Sequence, residues 1–389
     1  MKITNPNMQE LSAKAAADLG KIKYKQYGKY LGDFVAGETY EHPRGMTVTA
    51  GMIQDFSTTF LEANPLYLNL EYAKALGHPA IPASPMLVFN LLLSLGVQND
   101  SEKAYANLGY YNVKFLKNVY PGDTITSFTK ILDKKERGEG KPGIVTINTI
   151  GNNQRGERVA QYMRKIMVPP APAGYQPPKF IPSKVDVPPY GESVEIEIPD
   201  FDANKWPSTV TRPDTYYEDM NVGDIIVSPN GRTITDEHFA WTYRVGNTHP
   251  LHFDRLYSQG MSGAMSGDPI TYGGLVFAWL MGLAGRDVSE NALADLGYTE
   301  GYHTQPSKSG ETVYCIHRVL AKEPVDSKLK VGAVQLQVIG LRDIKPKPAI
   351  EKYGADLFIK ENDKKDLGKE KIPEKIFEIE RRLLIRSRG

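Results

Sequence analysis

Two apolar runs dominate the hydropathy pattern of the chain, residues 86–97 and 273–285, each broken by a polar residue or a glycine. Both fall well short of the roughly 20 residues that cross a bilayer, so they predict buried helices. Each follows a short strand and an irregular helical region. After each come runs in which apolar and polar residues alternate, such as GIVTIN at 143–148 and VQLQVI at 334–339. A period of two marks half-buried strands. A helix followed by meandering strands predicts an antiparallel sheet wrapped around that helix, an α+β arrangement that occurs twice.

The two occurrences are copies of one unit. GDFVAGETY at 32–40 matches EDMNVGDII at 218–226, and GMTVT at 45–49 matches GRTIT at 231–235. Asn64-Pro65-Leu66-Tyr67 precedes His249-Pro250-Leu251-His252 by 185 residues. From Leu87-Val88-Phe89 and Leu275-Val276-Phe277 onward the offset is 188, and it holds through NLGY at 107–110 with DLGY at 295–298 and PGDT at 121–124 with SGET at 309–312. The strand VAQYMRKIMV at 159–168 is matched near the end of the chain by IFEIERRLLIR. The chain therefore divides into a first half, 1–168, a proline-rich linker, 169–213, and a second half, 214–389. A charged insertion at about 343–373 is expected to be a solvated loop. The alanine-rich part of 1–28 is expected to form a short helix on one of the halves.

Charge and cysteine content narrow the function classes. The 47 basic and 46 acidic residues leave a formal charge of +1, which removes the electrostatic case for nucleic acid or an anionic membrane as partner. Cys315 is the single cysteine, so no internal disulfide forms and no second thiol shares a metal. The opening MKITNPNMQE lacks the features of a secretion signal. A cytoplasmic location is the expectation. Motifs for dinucleotides, nucleotides, zinc hydrolases and serine hydrolases are absent from the sequence.

The segment Gly246-Asn247-Thr248-His249-Pro250-Leu251-His252 carries the candidate chemistry. It resembles the G-D-x-N-P-L-H motif of the MaoC-type, or R-specific, hydratases. The resemblance implies a tandem (double) hot-dog fold, an acyl-CoA thioester as substrate, and no metal or prosthetic group, coenzyme A entering as part of the substrate. Hydrating an enoyl thioester requires one group to activate water for attack at Cβ and a proton for Cα. His252 falls on the family's catalytic histidine. Asn247 stands where the family has an aspartate, and an amide is no base near neutral pH although it holds water by hydrogen bonds. The family's sharp turn into its long helix matches Pro269-Ile270-Thr271-Tyr272-Gly273-Gly274, which puts Gly273 on the glycine whose N–H polarises the thioester carbonyl. Tyr272 and Gly274 are carried over as substrate-binding.

The first half provides an internal control. Glu62, Tyr67 and Pro85 stand where the second half has Asn247, His252 and Gly273. Proline has no N–H to donate, so catalysis is expected in the second half, with the first shaping the pocket. Within the family, FLKNVYPGDT and GIVTINTIGNNQRGE of the first half resemble the mesaconyl-CoA hydratases, as do His252-Phe253-Asp254 and Tyr272-Gly273-Gly274 of the second. That subfamily has asparagine at the aspartate position, and its reaction is the reversible hydration of 2-methylfumaryl-CoA. The free carboxylate of such a substrate calls for a cation, for which Arg244 is a candidate although a solvent-exposed place on its helix is the more ordinary reading, and the Tyr272 hydroxyl is the rival partner for the same carboxylate or for the attacking water. His238 and His249 are weaker candidates, more simply read as packing residues. The loop at 260–267 is a candidate cover for the pocket. A general R-specific enoyl-CoA hydratase, a thioesterase and a non-catalytic thioester-binding protein stand as alternatives, and a homodimer is a further expectation.

Overall fold

The computed structural model describes residues 2, 4, 18–188 and 195–388. The alanine-rich segment expected to be helical lies outside them. One antiparallel sheet of 12 strands organises the molecule. The first half contributes β1 (Thr39–Glu41), β2 (Met46–Thr47), β3 (Ala106–Phe115), β4 (Thr124–Lys135), β5 (Gly143–Asn152) and β6 (Arg158–Val168). The second contributes β7 (Ile225–Val227), β8 (Arg232–Thr233), β9 (Ala292–His303), β10 (Thr312–Asp326), β11 (Val331–Arg342) and β12 (Lys375–Arg386). The order along the sheet is β1-β4-β5-β6-β3-β9-β12-β11-β10-β7, with β2 on β4 and β8 on β10. The halves join where β3 pairs with β9, Tyr110 opposite Gly301 and Val113 opposite Tyr298.

Seven α-helices accompany the sheet among the described residues: α1 (Ala50–Thr59), α2 (Leu70–Ala75), α3 (Pro85–Leu95), α4 (Ala240–Arg244), α5 (Arg255–Gln259), α6 (Gly273–Leu283) and α7 (Pro346–Tyr353). The predicted apolar runs are α3 and α6, buried over nearly their whole surface, as helices apolar all round must be. They lie against each other under the sheet. Phe89 and Phe277 meet with ring centroids 5.5 Å apart, and Asn90 Nδ2 donates to the Gly274 carbonyl at 3.0 Å. At the far end of α6, a Cβ on Gly282 would lie 1.6 Å from the Phe60 carbonyl oxygen of the first half. Only a residue without a side chain lets the two backbones approach so closely.

Among its described residues the linker is irregular apart from a short turn at Ala203–Lys205, yet it is packed onto the body. Its Trp206 is buried with Leu66 and Tyr72 of the first half and Leu293 and Leu384 of the second, and its indole N–H donates to Tyr72 Oη at 2.7 Å. The insertion at 343–373 departs from expectation. It is no solvated loop, since it contains α7 and the turn Gly354–Phe358, and its Ala349, Leu357, Phe358 and Ile372 bury against Ile316, Ile339 and Leu341 of the sheet. These apolar residues are scattered through lysines and acids, which hides them in the composition. Two of the charges are buried as well: Lys364 Nζ lies 2.7 Å from Glu361, and neither is exposed beyond 1%.

Candidate active site

A cavity of about 630 Å³ opens between the halves. One wall is the second half's motif, with Asn247, His249, His252, Tyr272 and Gly273. The facing wall is the first half's, with Leu93, Val97, Tyr110 and Arg164. The insertion supplies Asn362 and Lys371 at the rim. Each half thus presents its motif to the other half's helix and sheet.

His252 ends the turn Pro250–His252, which His249 caps by accepting the Leu251 N–H at Nδ1, 3.2 Å away. His252 Nδ1 sits 3.0 Å from the Ile270 carbonyl oxygen. A carbonyl accepts only, so Nδ1 holds the proton and Nε2 keeps a free lone pair. Burial, reinforced by neighbouring His249, pushes the pKa of His252 down to about 3. The ring is neutral throughout the physiological range, the state a base must start from.

Asn247 follows α4, and its Oδ1 accepts the His249 N–H at 2.8 Å. That bond fixes the amide orientation. Nδ2 is consequently the group left over, buried and without a protein partner among the described residues. A buried amide N–H without a partner costs free energy on the order of 1–3 kcal/mol, which a bound water or ligand oxygen would recover.

Gly273 opens α6, and no side chain caps this helix. The first N–H groups of any helix lack internal acceptors and carry the positive end of its dipole. A Cβ on Gly273 would come within 2.6 Å of His303 Nε2, so the bare glycine leaves room there for both the imidazole and a ligand. His303 is itself half-buried and neutral, desolvation taking its pKa down to about 4. It lies 3.2 Å from Tyr110 Oη. Tyr272 packs its ring 5.3 Å from that of His252 and its Oη accepts from Ser94 Oγ of α3 at 3.2 Å. It therefore lines the cavity while tying its two walls together.

The equivalent place in the first half is closed, leaving voids of about 40 and 10 Å³. Glu62 keeps the anchoring role of Asn247, its Oε1 accepting the N–H groups of Ala63 and Asn64 at 3.0 Å each. Tyr67 and Pro85 line the remnant as read from the sequence. Arg381 and Asp295 occupy it as a two-pronged ion pair, with both nitrogen-to-oxygen distances 2.8 Å.

Two sequence assignments require correction. Arg244 does not line the cavity; it is exposed, stacked 5.1 Å over Trp241 in a separate groove with Arg232 and His238. The last turn of α4 points it away from the motif loop. Gly274 is likewise not at the cavity. It serves the helix contact instead, since a Cβ there would meet Asn90 Oδ1 at 2.1 Å. His238 meets Trp279 edge to face at 5.1 Å and lines the separate groove, whereas His249 is on the cavity wall. The sequence reading missed His303, Tyr110 and Arg164. A signal for Arg164 was present, because the two repeats end in matching strands with Arg164-Lys165 against Arg381-Arg382.

Comparison with known proteins agrees with this geometry. The family model for mesaconyl-CoA hydratase matches residues 11–349. The chain is 29% identical over 323 residues to the β-methylmalyl-CoA dehydratase of Chloroflexus aurantiacus, covering 81% of this chain and 89% of that protein. It is 30% identical over 328 residues to the mesaconyl-CoA hydratase of Cereibacter sphaeroides, covering 81% and 90%. Among solved structures, a MaoC domain protein dehydratase of Chloroflexus aurantiacus superposes with a TM-score of 0.79 at 25% identity, covering 94% of this chain and all of that one. A Mycobacterium tuberculosis protein described as having a double hotdog fold gives 0.66 at 17% identity, covering 92% and 98%, a likeness of fold. With the family model spanning both halves and the motif residues gathered on one cavity, the chain belongs to the mesaconyl-CoA hydratase family.

Proposed function

We propose that this protein catalyses the reversible addition of water to mesaconyl-CoA, 2-methylfumaryl-CoA, giving a β-methylmalyl-CoA. The observation that carries the reading is the neutral His252, its Nε2 free in the cavity that also holds Gly273 at the uncapped start of α6. The thioester oxygen accepts from the Gly273 N–H. Asn247 Nδ2 donates to a water molecule, and His252 Nε2 removes a proton from that water as its oxygen bonds to Cβ. The Cα=Cβ electron pair moves onto the thioester oxygen as an enolate, where the helix N-terminus stabilises the charge. The imidazolium then returns its proton to Cα, and the ring is neutral again. These steps draw on no cofactor. Lys165 and Lys371 on the cavity lining supply positive charge suited to the phosphates of coenzyme A.

The test is to mix the protein with mesaconyl-CoA, follow the absorbance of the conjugated thioester, and weigh the product. Loss of absorbance with a gain of one water is expected. Turnover of crotonyl-CoA but not mesaconyl-CoA would make the protein a general hydratase. Release of free thiol would make it a thioesterase, and silence with both substrates would leave a binding protein.

A further inference from the structure

The first half also places a buried cation in the cavity. Arg164, on β6, is 3% exposed and lines the cavity with Ser101, to which it donates at 3.2 Å. Its Nε is buried and has no hydrogen-bond partner among the described residues. The carboxylate whose field it feels, Asp100, is already engaged. His42 Nε2 lies 2.8 Å from one Asp100 oxygen and Lys29 Nζ 3.8 Å from the other. A guanidinium taken out of water without an anion of its own is strongly disfavoured, and two-pronged pairing with a carboxylate is its best compensation.

The internal repeat indicates what is missing. In the sheet, Arg164 stands opposite Tyr110 and Arg381 stands opposite Tyr298, and Tyr110 and Tyr298 are themselves equivalent positions in the two halves. Arg381 is neutralised by Asp295 through both carboxylate oxygens. The repeat position of Asp295 in the first half is Asn107, which lines the cavity and carries no charge. The second copy thus holds an arginine with its carboxylate, whereas the first holds the arginine with that carboxylate deleted. Arg164 also acts electrostatically on the hydroxyls of Tyr110 and Tyr272, which flank His303 and His252. That position is one in which a group attached to the reacting carbons would lie.

We propose that Arg164 is the specificity-determining residue of this site and binds a carboxylate carried by the acyl group of the thioester, the substrate's anion taking the place that Asp295 fills beside Arg381. The proposal rests on the hydratase reading for its choice of ligand, a coenzyme A thioester of a four-carbon dicarboxylic acid skeleton. Glu300 also lines the cavity and repels such a group, and Lys165 on the same lining attracts it.

Calorimetric titration of the full chain with succinyl-CoA and butyryl-CoA tests the subsite without turnover, since both are saturated and equal in chain length. The unaltered protein should bind succinyl-CoA roughly 100-fold more tightly. Arg164→Met should bring the ratio of the two affinities close to one, and Arg164→Lys should retain part of it. Asn107→Asp should also abolish the preference, by rebuilding in the first half the internal pair of the second. Equal affinities in the unaltered chain would overturn the proposal, as would Arg164→Met weakening both thioesters by the same factor. The two readings fail separately. A succinyl-CoA preference with no hydration of mesaconyl-CoA removes the reaction and keeps the subsite, whereas hydration of mesaconyl-CoA without the preference does the reverse.

Discussion

In the proposed reaction His252 and Asn247 divide one task between a lone pair and an N–H, and the backbone fixes which atom does which. Ile270 holds the His252 tautomer and the His249 N–H holds the Asn247 amide. Replacing His252 by alanine removes the proton acceptor without touching those backbone groups. We expect kcat on mesaconyl-CoA to fall about 10²- to 10⁴-fold with the melting temperature nearly kept. The pH dependence follows from the same surroundings. A base works when neutral and is lost as pH falls through its pKa, here about 3. A plot of kcat/KM against pH should therefore be level from pH 8 down to about 5, and an acid limb near 6.5 would point to another base. The spacing of the motif made His252, Asn247 and Gly273 legible in the sequence. Arg164 was marked only by the match between the closing strands of the two halves, and proximity in sequence drew attention instead to Arg244, which α4 turns outward.

The elements show the same division between local pattern and long-range contact. Helices α3 and α6 and the long strands follow from apolar runs and alternation, which are properties of a few consecutive residues. The packing of 343–373 does not, since its buried apolar residues acquire their meaning from the sheet face formed by Ile316, Ile339 and Leu341. Close contacts between elements behave likewise. Gly282 looks like a helix-weakening residue in sequence, yet the Phe60 carbonyl occupies the space a side chain would need. Gly282→Ala should destabilise the protein by about 3 kcal/mol or more despite alanine's better helix propensity. Urea denaturation measures this, and an unchanged midpoint would show that the contact yields freely.

Across the whole molecule, histidines are the groups that tie stability to pH. Of the seven, burial lowers the pKa of six: His78, His249 and His303 to about 4, His252 and His317 to about 3, and His238 by an amount that Arg232 increases. The unfolded chain takes up protons near the ordinary value of 6.5, whereas the folded one refuses them until lower pH. Their contribution is thus complete above 6.5 and is lost as pH falls toward 4, at up to about 1.4 kcal/mol per pH unit for each ring that stays neutral. The denaturant midpoint should drop steeply across that window, and a flat profile would mean that the rings accept protons in place.

Joining the two halves in one chain has a consequence for how such a protein can change. In a pair of identical subunits every substitution arrives at both sites together, so a residue useful in one place and harmful in the other cannot spread. Here position 107 and its counterpart 295 vary independently, and so do 85 and 273. One site has become an internal strut, with Asp295 locked onto Arg381, while the other has kept an open cavity. Covalent linkage lets two once-equivalent places differ, and the closed one is free to drift toward whatever best supports its open neighbour.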